Sequence, residues 1–117
     1  MDIYPTLVDL AGLPKPDHLE GISLRPLMDD PRRPWKTAAF SQYPRGAGRM
    51  GYSMRTDRYR YTEWSQGETA LLARELYDHA TDPAENVNQA QSPAHADLVR
   101  DLSARLHAGW KAALPPA

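Results

Sequence analysis

Apolar side chains near the start of the chain recur at helical spacing. Ile3, Leu7 and Leu10 follow one another at intervals of three or four residues, which is the pattern of one face of an α-helix. Pro5 is tolerated in the first turn of a helix, and Gly12 offers a left-handed stop. The pattern predicts a helix from about residue 4 to residue 11, and a helix this short needs a surface to pack against.

The stretch that follows, residues 15–34, has little regular periodicity. Its spaced apolar residues predict a long loop, with about one helical turn near residues 24–28. Gly21 indicates a tight turn, and the steps into Pro31 and Pro34 disfavour a helix.

The middle of the chain has the short, alternating runs that are typical of strands. The predicted strands cover residues 37–43, 50–56, 58–64 and 74–78. Pro44 is expected to close the first strand, and Asp57 to form a very tight turn between the second and third. In the third run Tyr59 and Tyr61 alternate with arginines, which places tyrosines and arginines on opposite faces.

Two helix starts are predicted after the sheet. Asp82, Pro83 and Glu85 have the N-cap, first-position and third-position residues of a short helix. Ser92-Pro93 begins the longest helix, which is predicted to run to about Ala113. Its apolar stripe consists of Leu98, Val99, Leu102, Leu106, Trp110 and Ala113. These elements predict one α+β domain over residues 1–117, with a small antiparallel sheet of about four strands packed on a C-terminal helix.

Composition narrows the class of protein without naming an activity. Hydrophobic residues make up 41% of the chain and charged residues 25%, as in ordinary globular domains. A net charge of −1 argues against a nucleic-acid partner. No apolar run reaches the roughly 18 residues of a membrane span, so no membrane partner is predicted. The absence of cysteine excludes disulfides and thiolate metal sites and leaves the cellular compartment undetermined.

Residue types that carry chemistry are scattered. The histidines fall in separate predicted elements, none with a partner at metal-ligand spacing; they are His18, His79, His95 and His107. Asp29-Asp30 resembles a metal-binding pair, but its position before Pro31 is typical of a turn. No serine lies in a Gly-x-Ser-x-Gly elbow. Residue chemistry alone therefore predicts no self-contained active site.

Six segments occur in an order that is informative as a set. They are DIYPTLVDLAGL (2–13), LEGISLRPL (19–27), FSQYPR (40–45), MGYSMRTDRYRYTEW (50–64), ELYDH (75–79) and DPAEN (82–86). In this order they resemble the C-terminal portion of the sulfatase family, in the alkaline-phosphatase superfamily. The third and fourth segments are most similar to the iduronate-2-sulfatase branch.

The resemblance implies the small C-terminal subdomain of an enzyme that hydrolyses sulfate esters. Such enzymes use a divalent calcium-type ion and a formylglycine made within a Cys/Ser-x-Pro-x-Arg motif, and no such motif occurs here. We therefore expect this chain alone to be inactive. Residues 1–13 are expected to be the end of an upstream catalytic domain, the missing partner. The parent enzyme is expected to act on a sulfated small molecule or sugar.

The resemblance also implies that the subdomain packs beside the substrate cleft. The glycine-rich loop 41–51 is the best candidate to face it, because a cationic loop suits an anionic sulfated sugar. The candidate substrate-binding residues are Tyr43, Arg45, Arg49 and Arg55. The alternative is that Arg45 and Arg49 are simply exposed and that Arg55 is tied into the sheet.

Three hypotheses about function remain open at this point. An enzyme's C-terminal subdomain predicts an exposed apolar face, on the first helix or the sheet, where the catalytic domain sits. A stand-alone accessory domain predicts that Ile3, Leu7 and Leu10 are buried. The third hypothesis is the tail of a related phosphate or phosphonate ester hydrolase.

Overall fold

The structure, a computed structural model, describes residues 1–67 and 70–115. The chain forms two compact units, Met1–Pro34 and Trp35–Ala117. The first unit contains helices α1 (Ile3–Leu10) and α2 (Arg25–Asp29). The second contains strands β1 (Ala39–Arg45), β2 (Arg49–Arg55), β3 (Tyr59–Gln66) and β4 (Ala70–Asp78), then helix α3 (Ala96–Ala108). No helix in the described ranges is both long and apolar enough to cross a membrane.

In the first unit, polar side chains of α1 hold the loop that follows. The Leu24 N–H donates to Thr6 Oγ1 (2.9 Å), and Ser23 Oγ donates to Asp9 Oδ2 (2.6 Å). Gly21 was predicted to make a turn, but its role is close packing. A Cβ at this position would lie 2.2 Å from the Met1 carbonyl oxygen. The loop is therefore fastened to α1 mainly through hydrogen bonds.

The second unit is a four-stranded antiparallel sheet in the order β1-β2-β3-β4, with α3 on one face. The register pairs Phe40 with Met54, Met54 with Tyr61, and Tyr61 with Leu76, which makes one row across the sheet. This row faces α3 and forms the core with it. The buried core residues are Met54, Tyr61, Leu76, Val99, Leu102 and Leu106. The predicted α+β class is confirmed.

The strand ends differ from the prediction at β1 and at the loop that follows it. Pro44 does not close β1, which continues to Arg45. A proline is compatible with this position because β1 is an edge strand and does not need every N–H for a ladder. The predicted loop 41–51 is mostly hairpin, with its turn at residues 46–48, where Ala47 and Gly48 have φ of 63° and 71°.

The predicted helix at residues 82–85 is wrong. These residues form a turn, in which the Asp82 carboxylate accepts a hydrogen bond from the Val87 N–H at 2.8 Å. Glu85 does not reach back as a capping residue because its carboxylate binds Arg60 and His79. Its backbone has a φ of 58°, outside the helical region.

The prediction that the last helix runs to Ala113 is also wrong. Helix α3 ends at Ala108, and Gly109 follows with a φ of 79°, a conformation that favours glycine. The chain then makes a separate 3-10 turn over Trp110–Ala113. The apolar stripe survives in α3 itself, where Val99, Leu102 and Leu106 are buried.

Candidate functional site

The four candidate substrate-binding residues lie on the face of the sheet opposite α3, called here the outer face. Side chains alternate between the two faces of a strand, and Phe40 and Met54 pack toward α3. Tyr43 and Arg45 of β1 therefore project to the outer face, as do Arg49 and Arg55 of β2.

The structure brings three of these four residues together. Arg45 and Arg49 are cross-strand partners beside the hairpin turn, and Tyr43 is two residues from Arg45. Arg55 pairs with Ala39 at the other end of the hairpin, six residues from Arg49, which corresponds to about 20 Å along a strand. Arg55 Nη1 donates to the Thr56 carbonyl oxygen.

The sequence reasoning missed a fourth member of this group, Trp64. Its indole packs against Gly51, where an added Cβ would be 2.7 Å from Trp64 Cζ3. Trp64 Nε1 donates to Glu75 Oε1 at 2.9 Å, which fixes the ring. The Arg45 guanidinium lies 5.2 Å from the Trp64 ring centre and 5.4 Å from that of Tyr43. We call Tyr43, Arg45, Arg49 and Trp64 the hairpin surface.

Among residues 1–67 and 70–115, no carboxylate side chain neutralises the charges of the hairpin surface. Within the described residues, neither Arg45 nor Arg49 has a carboxylate partner, although the two cations are directly opposite each other. Like charges at opposed positions destabilise a sheet. By contrast, Arg58 donates twice to the Asp78 carboxylate, at 2.8 and 2.7 Å, and this contact lowers the pKa of Asp78 to about 2. The hairpin surface therefore presents two arginines without a carboxylate partner among the described residues.

A second polar cluster lies between the sheet and α3, around the buried carboxylate of Glu63. This carboxylate accepts hydrogen bonds from Tyr61 Oη (2.8 Å) and Ser103 Oγ (2.7 Å) and lies 2.7 Å from His107 Nε2. Burial alone raises the pKa of Glu63, but the hydrogen bonds outweigh it and leave that pKa below its usual value. Burial also raises the pKa of Tyr61 to about 12. The cluster joins α3 to β3.

The described residues do not offer a calcium site. His79 Nε2 lies 2.5 Å from Glu85 Oε1, and His107 contacts Glu63, so each of these histidines has a carboxylate partner. Across residues 1–67 and 70–115, no group of three or more His, Asp or Glu side chains is placed to hold a metal ion. These side chains therefore do not fit the divalent ion that the family resemblance implies.

The first helix presents an apolar surface to solvent. Ile3, Leu7 and Leu10 are 73%, 59% and 52% exposed, whereas Thr6 and Val8 are buried. We call these three exposed residues the α1 face. A stand-alone domain was expected to bury them, and an enzyme's C-terminal subdomain was expected to leave such a face uncovered. The exposure of these three residues matches the expectation for the C-terminal subdomain of an enzyme.

Comparisons with known proteins point to one family. The sequence model described as N-sulphoglucosamine sulphohydrolase, C-terminal, matches residues 1–111. Arylsulfatase K of Homo sapiens is 31% identical over 92% of this chain, which corresponds to 21% of that protein. The chain thus spans about a fifth of the length of that relative.

Two solved structures share the fold. One, a complex of a protein with its substrate D-glucosamine-2-N,6-O-disulfate, matches with a TM-score of 0.78 and 25% identity, over 94% of this chain and 23% of the other. The second is the phosphonate monoester hydrolase of Agrobacterium radiobacter, with a TM-score of 0.71 and 28% identity, over 92% of this chain and 23% of the other.

Proposed function

Because this chain belongs to the sulfatase family and corresponds to its C-terminal portion, we propose that it packs on a sulfatase catalytic domain and shapes the substrate cleft of that domain. The family resemblance predicted from the six sequence segments is confirmed by the match over residues 1–111. The assembled enzyme is proposed to hydrolyse a sulfate ester. The chain alone is proposed to be inactive.

The observation that carries this proposal is the exposed α1 face. Burying a leucine or isoleucine side chain contributes about 1.5–3 kcal/mol, and the α1 face leaves Ile3, Leu7 and Leu10 more than half exposed. A catalytic domain seated on this face would recover that free energy. We therefore propose that the catalytic domain contacts residues 1–13, the segment expected to be its end, while the loop that follows stays attached to α1.

The hairpin surface is proposed to contact the substrate. Arg45 is held between two aromatic rings, so its guanidinium is preorganised to bind an oxyanion. An anionic group placed near Arg45 and Arg49 would also relieve their mutual repulsion. The relative solved with a disulfated glucosamine supports a sulfated sugar as the ligand. Arg55 is left out of the surface because it lies at the other end of β2.

The calcium ion and the formylglycine implied by the family are proposed to belong to the catalytic domain. The described residues lack a suitable ligand group, and the sequence lacks cysteine and any Ser-x-Pro-x-Arg segment. The contribution proposed for this chain is binding and orientation of the substrate.

The first test is the coding sequence that precedes codon 1. We expect an in-frame region that encodes a Cys/Ser-x-Pro-x-Arg motif. A non-coding region with its own start signals would contradict the proposal, as would sulfatase activity of the purified 117-residue chain on a chromogenic aryl sulfate.

The second test uses the protein with its catalytic domain attached. Leu7→Asp is expected to abolish stable packing of the two parts, measured as loss of sulfatase activity and increased proteolysis between them. Met28→Asp is the matched control, because Met28 is also 59% exposed but lies in α2, outside the α1 face. Equal effects of the two substitutions would argue against docking through α1.

A second candidate function is supported by one observation, the likeness to a phosphonate monoester hydrolase. This alternative keeps the same role for the chain and changes only the group that the catalytic domain transfers. Assays of the assembled enzyme with an aryl sulfate and an aryl phosphonate monoester distinguish the two. We expect the sulfate to be the better substrate.

A further inference from the structure

A pocket of about 380 Å³ lies at the beginning of α3, on the face of the sheet that packs against this helix. Arg74 of β4 and Arg100 and Ser103 of α3 line it, together with residues 90–93 of the preceding loop. Its volume falls within the range of small-molecule sites. The hairpin surface lies on the opposite face of the sheet, so the pocket is a separate feature.

Arg74 keeps most of its capacity to bind an anion. Its Nε lies 3.8 Å from Glu63 Oε1, which is too long for a hydrogen bond. That oxygen already accepts hydrogen bonds from Tyr61 and Ser103 at 2.8 and 2.7 Å. The Arg74 side chain is 44% exposed, so it can contact a ligand in the pocket that it lines.

Arg100 supplies the second cation. Its Nη2 lies 2.8 Å from Asp97 Oδ1, and both side chains are largely exposed. Exposed ion pairs within one helix contribute little to stability, so a ligand anion can replace the Asp97 carboxylate at small cost. The guanidinium of Arg100, which already lines the pocket, can then contact the ligand.

The rest of the lining suits a small polar molecule with an apolar side. Gln91 and Ser92 contribute an amide and a hydroxyl on one wall, and Pro93, Ala96 and Val99 contribute apolar surface. Guanidinium groups match the paired oxygens of sulfate and carboxylate groups. The volume exceeds what a bare oxyanion needs and leaves room for a small organic molecule that carries one.

We propose that this pocket binds a monosaccharide that carries an oxyanion, with Arg74 and Arg100 contacting the sulfate or carboxylate group. The proposal rests on the proposed function for the choice of a sulfated sugar as the ligand, whereas the location of the site rests on the pocket and its two arginines. It places a second carbohydrate-binding site on the subdomain, on the face of the sheet away from the hairpin surface.

The test is an NMR titration of the ¹⁵N-labelled 117-residue chain with N-acetylglucosamine 6-sulfate. We expect saturable shifts of the amides of residues 90–92 and 96–103. Arg100→Gln is expected to weaken the affinity about tenfold, as for loss of a hydrogen bond to a charged group, and Arg74→Gln to weaken it similarly. Arg105→Gln is the matched control, because Arg105 lies on the same helix but does not line the pocket.

Unsulfated N-acetylglucosamine and sodium sulfate are titrated in parallel. We expect both to bind more weakly than the sulfated sugar. No saturable shift with the sulfated sugar, or equal weakening by Arg100→Gln and Arg105→Gln, would overturn the proposal. Equal affinity for the unsulfated sugar would refute the role of the arginines, and equal affinity for sodium sulfate would refute the sugar site in favour of a free-ion site.

Discussion

Replacing Glu63 by glutamine tests how much the buried carboxylate contributes to the attachment of α3. The substitution keeps the size and shape of the side chain but removes its charge. The remaining carbonyl oxygen can still accept from Tyr61 and Ser103, which both contact Oε1. His107 can accept from the new amide by changing its tautomer. The geometry is thus retained, while three charge-assisted contacts become neutral ones.

The expected loss follows from these three contacts. A hydrogen bond to a charged group contributes roughly 1 kcal/mol more than a neutral one, which gives about 3 kcal/mol for the set. His107 is largely exposed, so its contact is screened by solvent and counts for less. Glutamine also avoids the free-energy cost of burying a charge, which offsets part of the loss from the weaker hydrogen bonds. We expect Glu63→Gln to lower the free energy of unfolding by about 2 kcal/mol at neutral pH.

The pH dependence of the free energy of unfolding provides a second, independent test. The pKa of Glu63 is lower in the folded chain than its usual value, so its contribution is present above the unfolded pKa of about 4.3 and is lost as the pH falls through the folded pKa. The deficit of Glu63→Gln should therefore shrink in acid. Urea unfolding followed by circular dichroism at several pH values measures it. A variant within about 0.5 kcal/mol of the parent at neutral pH, or a deficit that does not change with pH, would refute this reasoning.

Two further predictions concern the sheet and the turn beside it. Gly51→Ala should destabilise the chain by about 1–3 kcal/mol and shift the tryptophan fluorescence, because the new Cβ would lie 2.7 Å from Trp64. Gly46→Ala is the control and should be nearly neutral, because a Cβ at that position would have no atom within 4 Å. Similar losses of stability for both variants would contradict the close-packing argument. Arg58→Gln should raise the pKa of Asp78 from about 2 toward its usual value of about 3.9, measured by carboxyl-carbon NMR; an unchanged pKa would show that Arg58 is not the cause.

Periodicity predicted the second unit well. The alternation around Tyr61 placed that side chain in the core, and the stripe of α3 placed Leu102 and Leu106 against the sheet. The faces on which these residues lie can be predicted because side chains repeat every two residues along a strand and about every 3.6 residues along a helix. The burial of each residue then follows from its neighbours in sequence.

Features that depend on distant partners were not readable in this way. Glu85 has the residue type of a helix cap, but its carboxylate binds Arg60, which lies 25 residues away in the sequence. The segment around Glu85 forms a turn instead of a helix. Trp64 joins the hairpin surface only because the register places Gly51 opposite it. The register of this hairpin depends on the length of the turn near Asp57 to the exact residue, because a slip of one residue would move Trp64 away from Gly51.

The carboxylate of Glu63 also restricts the position of α3 on the sheet, because it contacts two side chains of that helix. Contacts between leucines and the sheet have no direction, so an apolar stripe alone tolerates small rotations and shifts of the helix. Ser103 and His107 are one helical turn apart and both reach Glu63, a condition that few helix positions satisfy. Rotating the helix by one residue would deprive this buried charge of Ser103 and His107 and leave Tyr61 as its hydrogen-bond donor. We therefore expect Glu63 to fix the orientation of α3 on the sheet as well as to stabilise the packing of that helix.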